Sequence, residues 1–244
     1  MAGAARRRWL LLAPLTLLAL LVAGCAGDPA RPGTAAGPAA TSAATTASAA
    51  PSTTTAAATP TTTTAARAAT RYAFPVKGCA VSFGSLHHDY PATDIFAKAG
   101  CTVVAPASGV VDEVSRVDRW VPSKDDGDAR GGLSFSIVGG DGVRYYGSHL
   151  SVLDARIRPG LHLRAGEVVG KVGHTGSARG VAPHLHFGLS WPTRHGVWWV
   201  RRGAVPPAPF LRAWQAGEQR SPAAAVAAAR TAAGAVVPPC QADC

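Results

Sequence analysis

The residues of this 244-residue chain best equipped for chemistry stand in the string Pro183-His184-Leu185-His186-Phe187. In an extended strand alternate side chains share a face. His184 and His186 therefore project together, and Leu185 points the other way, into a core. Two imidazoles side by side form half of a metal site or an acid–base pair, because histidine is the commonest metal ligand and the usual general base. Taken alone, the pair fits equally well two partly exposed strand histidines. Further candidates lie in Leu86-His87-His88-Asp89-Tyr90-Pro91-Ala92-Thr93-Asp94 and in Gly147-Ser148-His149-Leu150-Ser151.

The segments that must position these groups are short and strand-like. Cys101–Pro106, Gly109–Val114, Leu133–Val138, Val143–Tyr146, Glu167–Val172 and His184–Leu189 are rich in β-branched and aromatic residues or alternate apolar with polar. Gly-Gly, Gly-Asp-Gly and Pro-Gly pairs punctuate them. Nearly all the aromatic residues and all eight histidines fall between residues 71 and 215. This pattern predicts a mainly β fold, a single antiparallel β-sheet domain over residues 71–215. Residues 216–244 form an Ala-rich C-terminal tail without an apolar stripe, expected to be weakly ordered.

The other end of the chain carries targeting information. Arg6-Arg7-Arg8 precede an apolar run too short to span a bilayer comfortably. That run ends in Leu21-Val22-Ala23-Gly24-Cys25, which resembles the lipobox of bacterial lipoproteins. On this reading residues 1–24 are a signal peptide, Cys25 is the lipidated residue, and the chain is held at a membrane facing the cell wall. Residues 25–70 are Ala, Thr, Ser and Pro with almost no large apolar side chain, a disordered tether. At its flexible limit it reaches on the order of 35–40 Å root-mean-square. The formal net charge is +10, and loss of Arg6, Arg7 and Arg8 leaves +7. Such a charge draws an exported protein to polyanions. The basic residues are scattered and not interleaved with aromatics, so nucleic acid is not the expected partner.

Four cysteines remain besides Cys25. In an exported chain an even count reads as disulfides. Cys79 with Cys101 closes a loop of about twenty residues, worth roughly 3 kcal/mol through loop entropy. Cys240 with Cys244 would make a small terminal ring. Free thiols or zinc ligands are the alternative.

The histidines do not stand in isolation. The string Gly170-Lys171-Val172-Gly173-His174-Thr175-Gly176, followed by Pro183-His184-Leu185-His186-Phe187, resembles the G-x-x-G-x-T-G … H-L-H-F core of the lysostaphin-type (LytM-like) zinc metallopeptidases. Thr102 to Val111, Gly147 to Ser151 and Pro207 to Leu211 are similar to three further stretches of that family, in the same order. The resemblance covers about Phe74 to Leu211. It implies a duplicated hybrid-motif type of β core, a zinc cofactor and a peptide substrate in bacterial peptidoglycan. It also implies roles: Asp94 and His186 as metal ligands, His149 and His184 as catalytic residues.

One position departs from the pattern. The family's first ligand stands four residues before its Asp, where this chain has Tyr90. His87 and His88 lie further upstream. Parity in an extended segment favours His88, six residues before Asp94, with His87 and then Tyr90 or Asp89 as alternatives. Pro91 makes a turn or bulge expected there, which weakens parity as a guide. The expected set is thus His88, Asp94 and His186, three protein ligands leaving a position for water. The chain is expected to act as a monomeric peptidoglycan endopeptidase. The alternative is a non-catalytic wall-binding or hydrolase-activating relative.

Overall fold

The computed structural model of the protein describes residues 70–240. The signal segment, Cys25, the tether as far as residue 69, and Cys244 lie outside the described residues. Ten strands form one antiparallel sheet: β1 (Val76–Lys77), β2 (Val81–Phe83), β3 (Ala92–Ala97), β4 (Thr102–Val104), β5 (Gly109–Ser115), β6 (Leu133–Gly139), β7 (Arg144–Leu153), β8 (His162–Leu163), β9 (Val168–Val172) and β10 (His184–Ser190). The main path runs β1-β4-β9-β7-β10-β3-β2, and β6, β5 and β8 branch from β7. The mainly β, antiparallel fold expected from the alternating segments is what the chain adopts.

Alternation explains which face each strand buries. In β10, Leu185, Phe187 and Leu189 are fully buried. Burying each is worth roughly 1.5–3 kcal/mol relative to exposure. They pack with Ile95 of β3, Phe135 and Ile137 of β6, and Tyr145 and Leu150 of β7 in one continuous core. His184 and His186 occupy the opposite face because the period of a strand is two. The register then puts His186 directly across from Asp94 on one side and from Ser148 on the other.

Three helices follow the sheet: α1 (Trp198–Arg201), α2 (Ala208–Gln215) and α3 (Ala223–Ala233). In α2, Phe210, Leu211 and Trp214 are buried, and Trp214 stacks on Tyr72 at 5.5 Å between ring centroids. The Ala-rich segment is more ordered than its composition indicated. It forms α3, with Val226 buried and Ala223, Ala225, Ala229 and Ala233 packed against the core. Alanine is the best helix former, and its small side chain lets a helix lie close to a surface without an apolar stripe of large residues. Among the described residues no helix is long and apolar enough to cross a membrane.

Cys79 and Cys101 are joined by a disulfide, with Cα atoms 6.0 Å apart. It ties the β1–β2 turn to the start of β4, and β1 and β4 also pair through Val76 and Val103. Cys240 is disulfide-bonded as well. The Cys79–Cys101 loop spans a sequence separation of 22. The double variant Cys79→Ser/Cys101→Ser is expected to lose about 3 kcal/mol of unfolding free energy. Urea unfolding without reductant checks this.

Candidate metal and catalytic site

Asp94, His186 and His184 reach one side of the sheet from β3 and β10. His149 joins them by a different route. It is one of two non-glycine residues with positive φ among the described residues, at 65°. The left-handed conformation kinks the ten-residue β7. The strand pairs with β10 before this point and with β9 after it, with a register shift beyond Leu150. The kink turns the His149 ring to within 4.9 Å of His184 and 6.0 Å of His186, centroid to centroid. A non-glycine residue held at positive φ stores strain of the kind that gathers at functional sites.

Backbone carbonyls fix the tautomers. His149 Nδ1 lies 2.8 Å from the Thr175 carbonyl oxygen and His184 Nδ1 lies 2.8 Å from that of Ala182. A carbonyl only accepts, so both Nδ1 atoms carry the proton and both Nε2 atoms are bare acceptors. Thr175 is itself pinned, donating to the Leu150 carbonyl at 2.7 Å and accepting from the Leu133 amide at 3.0 Å. The Gly-x-Thr-Gly element therefore serves to hold His149. His186 is set the opposite way round. Its Nε2 donates to the Arg202 carbonyl at 2.9 Å, so in the neutral ring Nδ1 is the lone-pair nitrogen, and it faces Asp94 Oδ1 at 2.9 Å. Gly188 allows this approach, since a Cβ there would stand 2.2 Å from the Arg202 oxygen.

The turn before β3 places the two upstream histidines differently. The Ala92 amide bonds back to the Tyr90 carbonyl and the His87 amide to the Ala92 carbonyl. The segment is thus curled and not extended, so counting by twos does not apply. His87 points inward, its side chain 10% exposed, with Nε2 3.8 Å from Asp94 Oδ2. His88, preferred by parity, points outward with its side chain 75% exposed and pairs with Asp89. The His87, Asp94 and His186 donor atoms all lie within 4.8 Å of one another. Asp89 belongs to a second group, with His87 and His88, whose ligand atoms also lie within 4.8 Å of one another.

Electrostatics follow from burial and neighbours. Burial, then the charge of His186, pushes the His87 imidazole down to about 4. Burial followed by the charges of His186 and His184 lowers His149 to about 3. Burial alone would raise the Asp94 carboxyl, but the hydrogen bond and charge of His186, with His184 and His87, outweigh it and hold the group at about 2. An unfolded histidine titrates near 6.5. From pH 6.5 down to about 4 the unfolded chain therefore binds more protons at these two positions than the folded one, and stability rises with pH. The histidine contribution is complete above pH 6.5 and is lost as pH falls towards 4. The Asp94 contribution, present above about pH 3.9, is lost lower still. Unfolding of chelator-treated protein between pH 4 and 7 is expected to show this slope, and His149→Gln to flatten it.

His87, His149 and His186 line a cleft of about 140 Å³, walled by Tyr90, Tyr146, Trp198, Arg201 and Arg202. Arg201 crosses the wall, bonding Glu113 and, at 2.9 Å, Asp128. The Trp198 ring lies where a side chain at Gly127 would stand. Residues 88–197 match peptidase family M23. The M23 match spans His88, Asp94, His149, His184 and His186, and supports the lysostaphin-type family read from the sequence. Over 143 residues the chain is 30% identical to the L-Ala--D-Glu endopeptidase of Bacillus subtilis (strain 168), covering 57% of this chain and 39% of that protein. The chain thus spans about two fifths of this curated relative. Among solved structures, the lysostaphin catalytic domain of Staphylococcus simulans is 25% identical, with a TM-score of 0.40, over 55% of this chain and 92% of its own. A zinc-containing peptidase from Vibrio cholerae is 19% identical, with a TM-score of 0.36, over 49% and 36%.

Sequence reasoning did not single out Arg201, Arg202 or Tyr146, which no local pattern connects to the histidines. Trp198 also walls the cleft. Arg179 pairs with Asp118, which also accepts the Gly176 amide at 3.1 Å. His162, His174 and His195 are exposed.

Proposed function

We propose that the chain is a zinc-dependent endopeptidase that cleaves peptide bonds in bacterial peptidoglycan, with His87, Asp94 and His186 as ligands. The observation that carries this reading is the pair His186 Nδ1 and Asp94 Oδ1, 2.9 Å apart. The Arg202 carbonyl occupies the other His186 nitrogen. A positive centre must lie between these two acceptors at that separation: a proton on Nδ1 when no metal is bound, a metal ion when one is. His87, with its basicity suppressed by burial, offers a third lone pair to the same point. Two imidazoles and one carboxylate fit a catalytic zinc, which needs three protein ligands and a vacant fourth position.

Zinc held there supplies a Lewis acid that makes water nucleophilic at neutral pH. The chain's own residues do the rest. His149 and His184 present Nε2 acceptors on the same face, fixed by the Thr175 and Ala182 carbonyls. Each can orient the attacking water, take its proton and pass it to the leaving amine. Burial keeps His149 neutral, hence an acceptor, throughout the physiological range. A hydrolase-activating relative without activity would lack part of this set, whereas here all five side chains converge. The lipobox-like string ending at Cys25 supports an exported protein anchored at the membrane, and a tethered enzyme suits an insoluble wall substrate.

Two experiments test the reading. Digestion of purified peptidoglycan is expected to release new amino and carboxyl termini in the peptides and no new reducing sugar ends; new reducing ends alone would refute it. His87→Ala is expected to lose the bound zinc and His88→Ala to keep it, by metal analysis of purified protein. Zinc lost in His88→Ala and kept in His87→Ala would restore the parity assignment.

A further inference from the structure

Arg202 lies sixteen residues beyond His186, just after the one-turn helix α1, and touches both imidazole-bearing sides of the site. Its main-chain carbonyl holds His186 Nε2 at 2.9 Å. Its guanidinium lies 3.9 Å from the centroid of the Tyr90 ring, with the Trp198 ring on the cleft wall 5.0 Å away. Tyr90 in turn packs against His87, 4.4 Å between centroids with the rings tilted by 36°, and sits 5.7 Å from His186. Burial pushes the Tyr90 phenol up, so it stays neutral and meets Arg202 through its π face. A guanidinium over an aromatic face is attracted by the ring quadrupole, and the more so when desolvated. Gly203, at φ 151°, lets the chain press against Pro91: a Cβ there would stand 2.4 Å from the Pro91 carbonyl oxygen. The segment carrying Arg202 is therefore seated directly on the turn that carries His87.

This arrangement answers a problem posed by the sequence. Asp94 and His186 sit on paired strands, and the sheet fixes their separation. His87 sits on a curled segment outside the sheet, which backbone pairing alone leaves loose.

We propose that Arg202 is a positioning residue for the ligand set: its carbonyl orients His186 while its guanidinium, stacked on Tyr90, clamps the His87 turn against it. The inference rests on His87 and His186 being zinc ligands. Partners of this kind behind metal ligands are worth about 10–100-fold in affinity.

The test is competition of zinc ions alone against a chromophoric chelator, with wild type, Arg202→Ala, Tyr90→Leu and Tyr90→Phe, alongside thermal unfolding of each metal-free protein. Arg202→Ala and Tyr90→Leu are expected to weaken zinc binding by about 10–100-fold. Tyr90→Phe, which keeps the ring, is expected to retain wild-type affinity within about twofold, because the stack uses the π face. Melting temperatures of the metal-free Tyr90→Phe and Tyr90→Leu proteins are expected to stay close together, separating clamping from folding. Wild-type affinity in both Arg202→Ala and Tyr90→Leu would overturn the clamp. So would a Tyr90→Phe protein as weak as Tyr90→Leu, since the hydroxyl would then be the operative group. A wild-type protein that binds no zinc would instead overturn the ligand reading beneath it.

Discussion

Asp94→Asn is expected to abolish zinc binding and peptidoglycan hydrolysis while leaving the metal-free domain folded. The reason lies in the contact between His186 Nδ1 and Asp94 Oδ1. In the wild-type protein a proton or a metal ion lies between these two atoms. An asparagine of the same shape turns an amide N–H towards Nδ1 and satisfies it directly. It also removes the negative charge that a divalent ion requires. The fall in activity is expected to reach roughly three orders of magnitude, the scale of several kcal/mol of metal electrostatics at about 1.36 kcal/mol per tenfold. Metal analysis, hydrolysis assays and thermal unfolding with chelator check the three parts separately. His186→Ala is expected to lose zinc and activity to the same extent but also to lose stability, because it strips the Arg202 carbonyl of its donor in a buried place. The contrast separates a charge requirement from a packing requirement.

The second large effect concerns His149 and His184. Either alanine variant is expected to keep a full complement of zinc, since neither residue belongs to the His87–Asp94–His186 group. Each is expected to lower kcat by about 10²–10⁴, the usual contribution of positioned acid–base groups. The double variant should fall little below the worse single one, because residues acting on one proton work as a unit. Additive losses would mean two independent tasks. His149→Gly should behave like His149→Ala catalytically but hold the fold better, since glycine accepts the left-handed backbone at φ 65° without strain.

Much of this site was legible in the residues. The alternation of His184-Leu185-His186-Phe187 determines that both imidazoles share a face and that Leu185 and Phe187 are buried. Asp94 could be tied to them only through the family resemblance, and the strand register then sets it opposite His186. What escaped the sequence depended on backbone that is neither strand nor helix. The curl that brings the Ala92 amide back to the Tyr90 carbonyl puts His87 inward and His88 outward, and no periodicity encodes it. The left-handed His149 left no trace either. Arg202 is distant in sequence and works partly through its carbonyl, which carries no residue signature. Helix α3 escaped for a different reason: alanines dock by being small, so the apolar stripe that marks most packed helices is missing.

The central claim is that five side chains form one metal-dependent peptidase centre. Its most direct test is the release of new amino groups from purified peptidoglycan by the same protein sample before chelation, after exhaustive chelation, and after zinc is returned. The account predicts release, then none above background, then recovery in proportion to zinc bound up to one ion per chain. Equal release from the zinc-free and zinc-restored protein would contradict it.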